Sequence, residues 1–172
     1  ELGRSFVVPV YQNTRERPKQ IYALDNLWDG LGALTVIYPQ IKYLFGKVTM
    51  YPDFHRESRE MLLGFIHRHF PDPDSLVTPI DPLPSIAASP EIQNLYTGDY
   101  KEDLRILSQF VRAAGYKIPP LVNAYMSLSP TMRSFGTAVN REFGNVEETG
   151  ILIRLDQVYE EKKARHIYTF KP

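Results

Sequence analysis

GRSFVVPV at residues 3–10, IYALDNLWDGLGALTVIY at residues 21–38 and YLFGKVTM at residues 43–50 decide the fold of this chain. The first and last stretches are short and rich in β-branched and aromatic residues, which predicts strands. The middle stretch has apolar residues at spacings of three and four, including Leu24, Trp28 and Leu31, which predicts a helix with one buried face and Asp29 on the other. Strand, helix and strand in this order predict an α/β unit, normally with parallel strands.

The composition limits the class of protein. The 172 residues are 43% hydrophobic, enough for one domain with a sizeable core. The 20 basic and 20 acidic residues give zero net charge, which argues against a dedicated nucleic-acid binder. The chain has no cysteine, so it has neither a disulfide framework nor a thiolate metal site. No apolar run is long enough to span a membrane, so we expect a cytoplasmic protein. Because the first residue is Glu1 rather than methionine, we expect a piece of a longer protein.

A basic loop lies between the first predicted strand and the helix. Arg15, Arg17 and Lys19, with Gln20 beside them, precede the amino end of that helix. Cations at a helix amino terminus suit a phosphate or pyrophosphate, although a solvated basic turn is the more common explanation of such spacing. The loop has no glycine, which excludes a Walker loop and a dinucleotide-binding fingerprint.

The middle of the chain predicts two further helices around an irregular segment. Residues 56–69 are predicted to form a helix with Asp53 as its amino-terminal cap. The proline-rich residues 71–98 predict a long ordered loop, either a binding loop or a surface crossover. Asp99 followed by Glu102 predicts a capping box at the start of the next helix, which Gly115 ends.

The last third is predicted to be mixed. Residues 125–128 and 150–155 are predicted to be strands, and the polar residues 140–149 are predicted to be a mobile link. Residues 157–166 are predicted to form a short charged helix with Val158, Tyr159 and Ala164 facing inward. In the middle of the chain His55, His67 and His69 suggest a metal site, but such a site is disfavoured because His67 and His69, two residues apart, diverge on a helix.

Five motifs in order carry a resemblance to a known family. They are ELGRSFVVP at residues 1–9, LWDG at 27–30, YLFGKVTM at 43–50, RHFP at 68–71 and PPLVNAY at 119–125. With these motifs the chain resembles the hemolysin-type branch of the GNAT acyltransferase superfamily, and most closely its Bacteroides-group proteins. This branch is related to the ornithine and glycine N-acyltransferases of bacterial membrane-lipid synthesis and, more distantly, to acyl-homoserine-lactone synthases.

The resemblance implies an α/β fold with a mixed sheet flanked by helices. Residues 1–172 would be the C-terminal portion of a single acyltransferase domain, without its first three strands. Residues 1–70 would form a β-α-β-α core, residues 71–98 the proline-rich loop, and residues 99–172 a helix with the C-terminal strands. The unpaired edge of the sheet would then need the missing N-terminal half or a second copy of the chain as partner.

The resemblance also implies the positions of a site. Residues 1–9 and 43–50 would correspond to the fourth and fifth strands of the family, which splay apart and hold the pantetheine arm of an acyl donor. Backbone amides near Val7 and Val8 would stabilise the oxyanion. The donor would contact Arg15, Arg17, Lys19 and Gln20. The absence of glycine from that loop favours acyl carrier protein, with its acidic surface, over tightly bound coenzyme A.

The remaining expectations concern chemistry and partners. Glu1 is the candidate for deprotonating or orienting the amine, and Arg4 for binding the acceptor carboxylate or for a structural ion pair. Asn123 and Tyr125 are candidates for the acceptor side. The implied reaction transfers a long-chain acyl group from acyl carrier protein or coenzyme A to the amine of glycine or ornithine, without a metal or a tightly bound cofactor. Peripheral association with the inner face of the membrane is a further expectation. The rival class is a non-catalytic binding or regulatory module.

Overall fold

The computed structural model of the chain describes Val8 and residues 23–171. For residues 23–25 it describes the backbone only. The predicted strand at residues 3–10 and the basic loop at residues 12–20 therefore lie outside the described residues, Val8 excepted. The helices are α1 (Ala23–Ile37), α2 (Arg56–His69), α3 (Pro90–Gln93), α4 (Tyr100–Ala113), α5 (Pro120–Met126) and α6 (Glu160–His166). The strands are β1 (Tyr43–Met50), β2 (Arg133–Asn140) and β3 (Val146–Arg154), and a 3₁₀ turn spans Leu155–Gln157.

The three strands form one sheet in the order β1-β3-β2. Both pairings are antiparallel, with Val48 opposite Thr149 and Ser134 opposite Ile151. The parallel pairing that the sequence predicts joins β1 to residues 3–10, which lie outside the described residues except for Val8, so this pairing stays a prediction. The other edge of β1 has no partner among the described residues, and the mixed sheet stays a prediction there.

The hydrophobic core lies between one face of this sheet and the helices. Val48 and Met50 on β1 and Ile151 and Ile153 on β3 point to that face because alternate residues of a strand share a side. Phe65, on α2, is fully buried. The bounds of β1 and of α2 match the predicted residues 43–50 and 56–69, and α1 matches the predicted helix to within two residues.

The predicted strand at residues 125–128 is wrong. Residues 120–126 form α5 instead, with Pro119 as its amino-terminal cap and Pro120 at the first helical position. A proline suits that position because its missing N–H would have no partner there in any case, and its φ is already helical. The apolar residues that follow Pro120 therefore belong to a short helix, which buries Val122, Tyr125 and Met126.

The predicted mobile link at residues 140–149 is also wrong. β2 runs to Asn140 and β3 begins at Val146, which leaves five residues for a hairpin turn. Gly144 and Asn145 in this turn have φ values of 67° and 55°, a region that favours glycine and asparagine. The proline-rich residues 71–98 are irregular apart from α3, as predicted, and Leu83 donates a backbone hydrogen bond of 2.7 Å to Thr137 on β2.

Two predicted caps differ from the structure. His55, not Asp53, caps α2, and its Nδ1 accepts a hydrogen bond from the backbone of Ser58. Asp99 caps α4 as predicted, but Glu102 does not complete the capping box because its carboxylate pairs with Arg105.

The last helix, α6, is shorter than predicted. It begins at Glu160, three residues later than expected. Val158 is buried as predicted, whereas Tyr159 is 41% exposed and Ala164 is also exposed. His166 is the buried residue of α6, because its ring has a hydrogen-bond partner on α1. Among the described residues, no helix has the length and apolarity needed to cross a membrane.

Candidate functional site

The structure describes only part of the predicted site. Glu1, Arg4, Val7, Arg15, Arg17, Lys19 and Gln20 lie outside the described residues. Val8 is described and is 41% exposed. The roles assigned to these residues stay predictions.

The two residues predicted for the acceptor side lie on α5 but on different sides of it. The ring of Tyr125 is 4% exposed and packs edge-on against Trp28, with the ring centres 5.3 Å apart. Burial raises the pKa of the Tyr125 hydroxyl, so this group stays protonated at neutral pH. Asn123, two residues earlier, is exposed. The structure therefore does not bring the two side chains together at one point.

An apolar cavity of about 30 Å³ lies between α1, the sheet and α6. Its wall includes Trp28, Leu31, Leu44, Ile153 and Val158. A cavity of this volume has room for about two water molecules. The cavity as it stands is too small for an acyl chain.

His166 lies in the wall of this cavity and joins α6 to α1. Its ring is almost fully buried, and its Nδ1 lies 2.7 Å from Oδ1 of Asp29. An Nδ1–H donated to the carboxylate fixes the tautomer of the neutral ring and leaves Nε2 as an acceptor. The sequence missed this pair because the two residues are 137 positions apart and Asp29 lies on the polar face of its helix.

A charge cluster with two buried carboxylates, here called the Arg59 cluster, consists of Arg59, Glu60, Glu147 and the exposed Ser85. Nη1 of Arg59 donates to Oε1 of Glu147, and Nη2 donates to Oε1 of Glu60 at 2.6 Å. Oε2 of Glu60 accepts from the Ser85 hydroxyl and from the backbone N–H of Ile86. The cluster therefore joins α2, the start of β3 and the proline-rich loop.

Burial acts differently on the two carboxylates of the Arg59 cluster. Loss of solvent raises the pKa of Glu147 above its usual value, and the Arg59 guanidinium offsets this only in part. Burial acts on Glu60 in the same direction, but hydrogen bonds from Arg59 and Ser85 outweigh it, so the pKa of Glu60 lies below its usual value. Two neighbouring carboxylates with opposite shifts are a common feature of functional sites and also of structural ion pairs.

Two polar atoms of the Arg59 cluster are buried without a hydrogen-bond partner among the described residues. They are Nε of Arg59 and Oε2 of Glu147. Most buried polar atoms in proteins are paired, so each of these two calls for an explanation. Sequence reasoning misses Glu147, because this residue lies in residues 140–149, which are predicted to be a polar link.

The histidines considered for a metal site have other contacts. His69 donates or accepts a hydrogen bond of 2.8 Å between its Nε2 and Oδ2 of the buried Asp103. His67 is exposed, and His55 is the cap of α2. Within residues 23–171, no group of three or more potential ligand side chains could hold a metal ion.

Comparison with known proteins relates this α/β chain to N-acyltransferases. No family model matches the chain, and no solved structure matches it either. The chain is 60% identical, over 99% of its length, to a glycine N(alpha)-acyltransferase of Bacteroides thetaiotaomicron. It is 59% identical over the same share to a glycine N(alpha)-acyltransferase of Phocaeicola vulgatus. The predicted resemblance to N-acyltransferases of the Bacteroides group is confirmed.

The length of these relatives limits what the likeness covers. The chain spans about half the length of the curated relatives that it matches, 51% of one and 52% of the other. Activity, substrates and partners of the whole protein are therefore a matter of proposal.

Proposed function

We propose that the protein is an N-acyltransferase that transfers an acyl group from a thioester donor to the amine of glycine. The observation that carries this proposal is the likeness, at 60% identity over 99% of the chain, to a protein named glycine N(alpha)-acyltransferase. At this level of identity we expect the described elements to have the same arrangement in both proteins. The finer roles below are part of the same proposal.

The free edge of β1 supports a GNAT-like arrangement of the donor site. In this arrangement residues 3–10 run beside β1, and α1 connects the two strands as a crossover helix. β1 lies at the end of the described sheet, so its outer edge is available to such a neighbour. The pantetheine arm of the donor lies where the two strands separate, and the amides of Val7 and Val8 face the developing oxyanion.

The donor is acyl carrier protein or coenzyme A, and the basic loop before α1 is its contact. Arg15, Arg17 and Lys19 offer three cations to an acidic carrier surface or to a pyrophosphate. Glu1 takes the proton of the amine, and the product belongs to aminolipid synthesis. Because the transferred acyl group has a long apolar chain, the site lies at the inner face of the membrane.

A direct assay tests this proposal. The full-length protein is incubated with long-chain acyl carrier protein or acyl coenzyme A and with glycine or ornithine, and products are identified by mass spectrometry. We expect an N-acylated glycine, formed faster than N-acylated ornithine. The Bacteroides thetaiotaomicron relative, assayed in parallel, serves as the positive control. The proposal fails if the relative acylates an amino acid and this protein acylates none with either donor.

A further inference from the structure

The unpaired atoms of the Arg59 cluster have opposite polarity and lie close together. Nε of Arg59 is a donor and Oε2 of Glu147 is an acceptor, and both are buried. The two side chains are joined by a direct ion pair through their other atoms. Because each unpaired atom belongs to the same guanidinium or carboxylate as an atom of that pair, the two lie within a few ångströms of each other. One small molecule can reach both.

The charge of the cluster indicates which group of such a molecule binds at each of the two unpaired atoms. Within the cluster one guanidinium faces two carboxylates, and the attraction of Arg56, at the start of α2, offsets part of the remaining negative charge on Glu147. Buried excess charge is unfavourable unless a counter-charge is present. The upward shift of the pKa of Glu147 has the same cause, because burial disfavours its charged form. A cationic group beside Oε2 of Glu147 would supply further counter-charge to this carboxylate.

We propose that the Arg59 cluster binds the zwitterion of a small α-amino acid, with its ammonium group at Oε2 of Glu147 and its carboxylate at Nε of Arg59. The ammonium group offers three donors to an unpaired acceptor, and the carboxylate offers acceptors to an unpaired donor. Glycine is the smallest molecule that has both groups on one carbon. This inference rests on the proposed function only in naming glycine as the acceptor.

The proline-rich loop lies against this site. Ser85 and Ile86 bind Glu60, and Leu83 is held to Thr137 on β2 by a backbone hydrogen bond. Neither unpaired atom is in contact with solvent. Glycine therefore reaches the cluster only when the side chains around it move.

Binding is measured on the full-length protein without an acyl donor, so that the result does not depend on turnover. Glycine is titrated by calorimetry into the wild type, Glu147→Gln and Arg59→Lys. The matched control is Glu148→Gln, since Glu148 is the next residue, pairs with Lys47 and is not part of the cluster. We expect both cluster variants to bind glycine at least tenfold more weakly and the control to bind as the wild type does.

The wild type alone supplies a second test, which holds even if a cluster variant does not fold. Glycine is compared with methylamine, with acetate and with betaine, whose nitrogen has no N–H. We expect only glycine to raise the melting temperature measurably at equal concentration. Equal stabilisation by glycine and betaine, or none by glycine in a protein that acylates it, would overturn the site and point to bound water.

Kinetics separate this inference from the proposed function. In an active enzyme, Glu147→Gln is expected to raise the KM for glycine at least tenfold and to leave the KM for the acyl donor unchanged. Normal KM values for glycine in both folded cluster variants overturn the site and leave the acyltransferase proposal intact. Glycine binding that depends on Glu147, in a protein without acyltransferase activity, supports the site and overturns the function.

Discussion

Asp103 shows how one buried carboxylate fastens two helices. It has no exposed surface and accepts hydrogen bonds from the backbone N–H of Thr97 at 2.6 Å and of Gly98 at 3.0 Å. The Thr97 hydroxyl and Nε2 of His69, at the end of α2, each lie 2.8 Å from it. Burial alone would raise the pKa of Asp103, but the hydrogen bonds, first of all that of the Thr97 backbone, outweigh it and hold the pKa below its usual value of 3.8.

This arrangement predicts a pH-dependent contribution to stability. Because the folded-state pKa is lowered, the contribution is complete above the usual value of 3.8 and is lost as the pH falls through the lower folded value. Asp103→Asn should lower the free energy of unfolding at pH 7 by about 2 kcal/mol, since hydrogen bonds to a charged acceptor are lost. Urea denaturation at pH 7 and at several values below pH 4 measures this.

The difference between wild type and Asp103→Asn should shrink as the pH falls. Asp156→Asn is the control, because Asp156 is an exposed carboxylate paired with Arg154 and should matter little at either pH. A difference that stays constant from pH 7 down to pH 3 would contradict the assigned role of the charge.

The basic loop before α1 gives a second prediction at the residue scale. Replacing Arg15, Arg17 and Lys19 together by alanine should raise the KM for the acyl donor, and more so at low salt, because screening weakens the wild-type attraction as salt increases. The matched control replaces Lys101, Arg112 and Lys117, three exposed cations at α4 and after it, with the same change in net charge. An unchanged donor KM at low salt in the loop variant would exclude the contact.

The sequence revealed charges near helix termini but not charges that meet across the fold. The basic loop and the cap Asp99 are visible because their meaning depends on neighbours within a few residues. The contact of Asp29 with His166 and that of Arg59 with Glu147 join positions 137 and 88 residues apart. The spacing of residues along the sequence does not predict contacts between such distant positions. The Arg59 cluster can therefore be recognised only in the three-dimensional structure.

At the element scale, α1 and the end of α6 make a close contact that depends on glycine. A Cβ added at Gly32 would lie 1.7 Å from the carbonyl oxygen of His166, which is backbone and cannot rotate away. Gly30, on the same helix, has open space at the corresponding position. The hydrogen bond between His166 and Asp29 lies at the same contact.

These two glycines make a matched pair of substitutions. Gly32→Ala should destabilise the protein by roughly 1–3 kcal/mol because the two elements must separate. Gly30→Ala should be neutral or stabilising by up to about 1 kcal/mol, because alanine favours a helix interior. Thermal or urea denaturation of the two variants gives the comparison. Equal stability of both variants would show that α6 adjusts freely at this contact.

The sequence predicts the bounds of elements with a strong periodic pattern to the residue. It does not predict the bounds of short elements that depend on the turns beside them. β1 and α2 have clear periodicity, and each begins soon after a turn signal. The sequence predicts a strand at residues 125–128, which include the end of α5, because seven residues are too few to show a helical period. The turn and the first residues of β3 are predicted to be a link because outward-facing residues, such as Glu148, are polar and hide the alternation of the inward-facing ones, whereas the rest of β3 falls within the predicted strand at residues 150–155.

At the scale of the whole molecule, the described sheet ends at β1. A strand with an unpaired edge exposes free N–H and C=O groups, and proteins usually cover such an edge. Residues 3–10 have the composition of a strand and are joined to β1 through α1, which lies on the core face of the sheet. A crossover helix of this kind normally joins parallel strands of one sheet, so we expect residues 3–10 to lie beside β1.

Engineered disulfides test this arrangement, because the 172-residue chain has no cysteine of its own. Lys47→Cys is combined in turn with a cysteine at each of positions 4–8, and the variants are oxidised and analysed by mass spectrometry. A disulfide requires Cα atoms about 4.4–6.8 Å apart, so only residues in direct register should cross-link. We expect one position, or two positions of the same strand face, to cross-link within a single chain.

The control and the alternative outcomes are fixed by the known register. Thr49 and Glu148 are directly opposite on β1 and β3, so a Thr49→Cys, Glu148→Cys variant should cross-link whenever the sheet is folded. With that control positive, the absence of any cross-link from positions 4–8 would exclude residues 3–10 as the neighbour of β1. Disulfides that join two chains would instead show edge-to-edge pairing of two copies. In that case position 47 on β1 of one copy would lie beside positions 4–8 of the other copy. A parallel neighbour within one chain is the outcome that the donor site requires, since the acyl thioester is proposed to lie between these two strands.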